Sequence, residues 1–210
     1  NETDFTNLTC LSSCYWNGGF LLNISSPESP EESQAAHVYL THCYMDADTL
    51  EKRWATPATS ITEEHFVIGT PAVTPLTEEA VIITTPYYSN SDEFCTIMIL
   101  NQDGDINASH PITTANAGGV KIYKKHMTGT KFLLENNGIY CIGDENLNFS
   151  KPLLSLSGCT FADFDCFEDY FVLYSVYNQL TDTNIDAVAY TYSGVPIWHA
   201  VRESNMKDDR

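Results

Sequence analysis

The spacing most suggestive of chemistry is NQDGDIN, where Asn101, Asp103, Asp105 and Asn107 alternate oxygen-bearing side chains around Gly104. A calcium loop uses oxygens in this way, but it also needs a distal bidentate acid and flanking helices, and neither follows here. The stretch reads instead as a β-turn with a glycan acceptor at Asn107. The six histidines are His37, His42, His65, His110, His126 and His199. His37 and His42 lie five apart in a strand-type stretch, so they face opposite sides and do not share a metal. Asp163 with Asp165, and Glu168 with Asp169, are paired carboxylates of the kind used in acid–base catalysis. Glycosidase carboxylates, however, usually come from separate strands. There is no G-x-S-x-G and no local Cys/His signature. The sequence predicts no catalytic residue, no metal, no cofactor and no enzyme.

The seven cysteines are Cys10, Cys14, Cys43, Cys95, Cys141, Cys159 and Cys166. None forms C-x-x-C, and the Cys10/Cys14 pair has no partner pair at zinc-finger spacing, so disulfides are the expected use. An odd count leaves one thiol free or bonded to another chain, which would give a disulfide-linked oligomer. Five N-x-[ST] sequons start at Asn1, Asn7, Asn23, Asn107 and Asn148. The sequence lacks an initiator Met, a signal peptide and any apolar run long enough to span a bilayer. It therefore reads as a processed or trimmed piece, secreted or extracellular, or the ectodomain of a larger surface protein.

The charge balance narrows the partners. Twenty-eight acidic residues stand against 10 basic ones, a net charge of −18. Phosphate recognition needs clustered Lys and Arg, so nucleic acid and anionic membrane are poor partners and a cationic one is favoured. Four of the basic residues, Lys121, Lys124, Lys125 and Lys131, fall in one hairpin and read as guards on a solvated edge strand.

Aromatic residues make up 12% of the chain, with twelve Tyr and ten Phe, a bias that suits pleated sheets. Residues 1–60 read as a disulfide-tethered N-terminal arm with a Pro/Ser/Glu-rich loop (SSPESPEES) and one strand, Ala36–Cys43. Residues 61–210 read as an antiparallel β-domain. Its strands are expected at His65–Ile68, Ala80–Thr84, Phe94–Leu100, Val120–Tyr123, Lys131–Leu134, Ile139–Ile142, Leu153–Leu156, Tyr170–Tyr177 and Ala187–Tyr192. Asp103-Gly104 and Asn137-Gly138 are hairpin signals, because both pairs tolerate positive φ. No long helical pattern separates the strands, so the fold expected is an all-β meander forming a barrel or a two-sheet sandwich. After Pro196, Ile197, Ala200 and Val201 share one face of a short C-terminal helix.

The stretch Phe161 to Val201 resembles the end of a lipocalin. Ala162-Asp163-Phe164 stands before Tyr170-Phe171-Val172-Leu173-Tyr174-Ser175 as the family's Thr-Asp-Tyr element stands before a Tyr-x-x-x-Tyr strand. In the following strand Tyr192 occupies the position of the family's Arg. The resemblance implies eight antiparallel strands closed around a small-molecule cavity. In such a barrel alternate residues point inward, which makes Tyr170, Tyr174, Tyr190 and Tyr192 the candidate ligand-binding residues. The function expected on this reading is a non-enzymatic extracellular glycoprotein sequestering a small apolar or cationic ligand. The alternative is an acidic protein-binding ectodomain, a decoy or receptor-binding glycoprotein of viral or parasite type. It would modulate immunity by capturing a basic protein such as a chemokine.

Overall fold

The computed structural model describes residues 8–27, 38–57, 59–61, 67–88, 92–125, 129–153, 160–178 and 183–204. The chain divides into two compact units, Asn1–Val120 and Lys121–Arg210. Among the described residues, every pairing with an assigned register is antiparallel.

The first unit holds two sheets. One is β1 (Thr9–Trp16), β2 (Gly19–Pro27), β3 (Val38–Asp46) and β4 (Lys52–Ala55), with β5 (Thr59–Ile61) beside β4 on the same edge of β3. The other runs β10 (Ile106–Thr113), β9 (Glu93–Asn101), β8 (Ala80–Tyr88) and β6 (Val67–Ile68), and β7 (Ala72–Pro75) also pairs with β8. β8 is buried along nearly its whole length, as the near-continuous apolar run from Ala80 to Ile83 requires of a central strand. Pro86 lies inside it, where a ladder normally excludes proline. It is tolerated because β7 pairs with Val81–Thr84 and β6 with Tyr87–Tyr88, so the ladder on that side breaks at Thr85 and Pro86. Trp16 and Leu21 of the first sheet pack with Val81, Ile83 and Leu100 of the second.

The second unit holds two more. β11 (Val120–Tyr123), which begins at the boundary, β12 (Phe132–Asn136) and β13 (Ile139–Gly143) form one; β14 (Thr160–Cys166), β15 (Tyr170–Asn178), β16 (Thr183–Thr191) and β17 (Pro196–Ser204) form the other, in that order. Asn137 and Gly138 both take positive φ, 52° and 82°, as a two-residue hairpin turn requires. The core joins Leu133, Ile142 and Leu153 to Phe164, Phe171, Leu173, Val188 and Tyr190.

Four expectations need correction. Among the described residues the strands do not close into a barrel: they form four separate sheets. No C-terminal helix exists among the described residues, because Pro196–Ser204 pairs with β16 as an extended strand, with Ala187 opposite Ala200 and Asp186 opposite Val201. The helix-like spacing of Ile197, Ala200 and Val201 is incidental. The N-terminal region, read as an arm with one strand, is a full sheet whose first hairpin closes on Asn17-Gly18, at φ 46° and 77°. Finally, Cys10, Cys14, Cys43, Cys95, Cys141 and Cys166 are free thiols. Among the described residues no cysteine faces another across a ladder: Cys10 faces Ile24, Cys14 Leu21, Cys43 Leu22 and Ala55, Cys95 Ile112 and Pro86, Cys141 Leu134 and Cys166 Phe171. Cys159 and the strand expected at Leu153–Leu156 fall, wholly or largely, outside the described residues.

Candidate functional site

At one end of the first unit, four turns are tied together by side chains rising from the sheets below them. The Trp16 indole N–H donates to Thr77 O at 3.0 Å, and the Trp54 indole N–H donates to Gln102 O at 2.7 Å. Tyr44 donates its hydroxyl to Asn17 O at 2.6 Å, and Ala47 N donates to Gly18 O at 3.1 Å. Turns 17–18, 47–51, 76–79 and 102–105 thus form one braced surface. This is the usual arrangement of a binding site, with loops held by a rigid scaffold.

Each turn has its own local cause. The Asp46 carboxylate accepts from Thr49 N at 2.9 Å and Asp48 N at 3.0 Å, and is paired with Arg53. The Thr49 amide and Arg53 guanidinium hold it well below the usual carboxylate range. In NQDGDIN the Asn101 side-chain oxygen accepts from Asp103 N at 3.0 Å and Asp105 N at 2.9 Å, so it shapes a turn and does not face an ion. Among the described residues no group of His, Cys, Asp and Glu is arranged to hold a metal. Gly104, at φ 87°, lies under the Trp54 ring.

The surface combines charge with exposed apolar groups. It carries Asp46, Asp48, Glu51, Glu78, Glu79, Asp103 and Asp105 against Lys52 and Arg53. Leu50 is 63% exposed and sits at φ 58°, a left-handed conformation costly for a branched side chain. Strain of this kind concentrates at functional surfaces. Tyr15, 62% exposed, packs edge-on against Phe20 at 5.7 Å, and Ile106 is exposed as well. Sequence reading missed this surface because its carboxylates are spread over 60 residues. Only the two tryptophans, each with an N–H needing a partner, signalled a brace.

The residues expected from sequence are scattered. Tyr190 is buried in the core of the second unit, stacked on Phe171 at 5.4 Å. Tyr174 pairs with Ala187, which places it on the opposite face of the sheet from Tyr190, while Tyr170 stacks on Phe167 at 4.7 Å. Tyr192 lines a cavity bounded by described residues. Its volume is about 290 Å³ and its lining includes Lys131, Asp144, Phe149, Lys151, Tyr192 and Ser193. Lys131 Nζ lies 5.3 Å above the Tyr192 ring and 3.7 Å from Asp144. Tyr192 donates to Phe167 O at 2.6 Å; burial, and then the Cys166 thiol, push its hydroxyl pKa up.

The lysine hairpin is not a free basic patch. Lys121 pairs with Glu135 at 3.7 Å, Lys124 donates to Gly129 O at 2.6 Å, and Lys125 bridges Asp163 at 2.7 Å and Asp165 at 3.0 Å. That bridge also accounts for the first pair of neighbouring carboxylates. Glu168 and Asp169 lie exposed in the turn between β14 and β15. Of the sequons, Asn107 and Asn148 are exposed, whereas Asn23 is 0% exposed and donates its amide to Ser12 Oγ at 2.8 Å. Asn1 and Asn7 fall outside the described residues, as do His37, His65 and His126. His42 is buried against Asn23, His110 sits on β10, and His199 Nε2 is 3.8 Å from Asp186.

No family model matches the sequence, and no curated protein matches it. Among solved structures, prolyl oligopeptidase B from Galerina marginata, as apo protein, is 16% identical over 88% of this chain, with a TM-score of 0.43. The chain spans 26% of that protein's length. A protein of unknown function from Bacteroides caccae is 12% identical over 94% of this chain and 83% of its own, at 0.38. The WD40 domain of SCAP from fission yeast is 7% identical over 98% of this chain and 51% of its own, at 0.34. At these TM-scores the likenesses carry no argument about fold or function.

Proposed function

We propose that this chain is a non-enzymatic binding protein whose first unit captures a basic protein on its braced loop end. One observation carries the reading: seven carboxylates and the exposed Tyr15, Phe20, Leu50 and Ile106 share that end, with Lys52 and Arg53 as its countercharges. Apolar anchors inside a polar rim are the anatomy of a protein interface, and the acidic rim selects a cationic partner and speeds its approach. The test titrates the immobilised chain with a basic probe, hen lysozyme, and an acidic one, serum albumin. Lysozyme binds and albumin does not. Leu50→Ser, which changes no charge, weakens capture about tenfold, as loss of an interface anchor does. If Glu168→Lys with Asp169→Lys weakens capture as much as Glu78→Lys with Glu79→Lys, net charge alone is responsible and the site is wrong.

A second reading, a small-ligand site in the second unit, is favoured by the cavity beside Tyr192. Its Tyr192 ring and Asp144 already hold the Lys131 ammonium, while Lys151 contributes a second positive charge. The ligand that fits is therefore a small organic anion, not the cationic one expected from sequence. Benzoate serves as probe: millimolar uptake that Lys151→Gln abolishes supports this reading, and no uptake removes it.

A further inference from the structure

The sheet formed by β14, β15, β16 and β17 ends on β17, an edge strand of nine residues. Every side chain described from Val195 to Arg202 is exposed, on both faces: Ile197 is 52% accessible, Trp198 44% and Val201 54%. Edge strands normally protect themselves with proline, charge or shortness. β10, the edge of the second sheet, does so with Pro111 in its middle and with Asn107, Ser109 and His110 exposed. In β17 the proline stands at the first residue with a bulge at Ile197 beside it, both at one end, and the ladder with β16 is regular from Trp198 to Ser204.

We infer that β17 is a self-association surface, pairing antiparallel with β17 of a second copy about a two-fold axis at Ala200. The register follows from geometry. Backbone groups pointing away from the parent sheet belong to alternate residues, so two copies pair only where the numbers of facing residues sum to an even value. Overlapping the exposed, regular stretch Trp198–Arg202 with itself, clear of the bulge at Ile197, sets that sum at 400. Ala200 then faces its own copy, His199 faces Val201, and Trp198 faces Arg202 twice. An indole opposite a guanidinium is a favourable cross-strand pair. Among the side chains described no like charges meet, and the one at the two-fold axis is the smallest that still has a Cβ. The partner is a second copy because the strand complements itself at this register: the pair that would stabilise it occurs twice by symmetry, as an isologous contact demands.

Sedimentation velocity over about 1 to 200 µM, the range in which micromolar association is read, shows a reversible dimer. Ala200→Lys sets two ammonium groups face to face on the axis and weakens the dimer at least about tenfold, while Ser109→Lys on the β10 edge leaves it unchanged. Circular dichroism checks that both variants remain folded. Should Ala200→Lys fail to fold, Arg202→Glu removes the indole–guanidinium pair and weakens the dimer instead. Oxidised Ala200→Cys gives a cross-link joining position 200 of both copies, mapped by mass spectrometry of its peptides. A wild-type chain that stays monomeric over the whole range overturns the inference. So does a dimer that Ser109→Lys disrupts, or one whose oxidised Ala200→Cys form carries no cross-link at position 200.

Discussion

At the scale of single residues, His42 shows most directly how burial sets behaviour. Its Nδ1 lies 2.6 Å from Asn23 Oδ1. Because the Asn23 amide nitrogen is committed to Ser12 Oγ, the oxygen faces the imidazole and Nδ1 carries the proton. Desolvation lowers the His42 pKa from 6.5 to about 4. The unfolded chain therefore binds a proton between these values that the folded chain refuses, and stability rises with pH across that window. The contribution is fully present above pH 6.5 and is lost as pH falls toward 4; a shift of this size corresponds to roughly 3 kcal/mol. Thermal melts from pH 8 downward should hold level to about 6.5 and then decline, and His42→Gln should flatten that decline. Asp46 and Asp163, whose pKa values are held below the usual 3.8, act at lower pH and do not blur the window. None of this was legible in the sequence. Asn23 looked like a glycan acceptor because a sequon records only local identity, whereas its burial depends on β1 and β3 flanking β2.

At the scale of elements, the strands that were legible are those with two apolar faces or a clear turn. Val120–Tyr123 was predicted to the residue, and the Phe94, Ile139 and Tyr170 runs to within a few residues. The Phe94 and Tyr170 runs are central strands with apolar residues on both faces, while the other two are edges marked by dense Val, Ile and Tyr and, at Ile139, by the Asn-Gly turn before it. The strands that went unseen are edges or half-polar. TCLSSCYW of β1 and INASHPIT of β10 lack the alternation that burial imposes, and only pairing with a neighbour makes them extended. The loop end was illegible for a related reason: Trp54 and Gly104 lie in different sheets. Gly104→Ala tests their contact. The new Cβ would lie 2.6 Å from the Trp54 ring, at a φ of 87° that strains any L side chain. The expected loss is about 2 kcal/mol, combining left-handed strain with overpacking. Trp54 emission should change with it, since the indole must leave Gln102 O. A variant with wild-type melting and fluorescence would show that the brace is dispensable.

At the scale of the whole molecule, the net charge of −18 acts on the two proposed contacts with opposite sign. Capture of a basic protein brings unlike charges together, so salt screens an attraction and capture weakens. Pairing through β17 brings two acidic chains together, with Trp198, Arg202 and the backbone ladder at the contact. There salt screens a long-range repulsion and leaves the short-range contacts almost untouched. Raising salt from about 20 mM to about 300 mM shortens the screening length from roughly 20 Å to about 6 Å, below the spacing of charges on facing molecules. Over that range lysozyme capture should fall severalfold while the dimer tightens, both read by sedimentation in the same buffers. Charge reversal at Glu78 and Glu79 should flatten the first dependence and soften the second, because it removes attraction from one contact and repulsion from the other. If both associations instead weaken together with salt, the dimer is itself electrostatic. The exposed apolar strand would then not be what joins the copies.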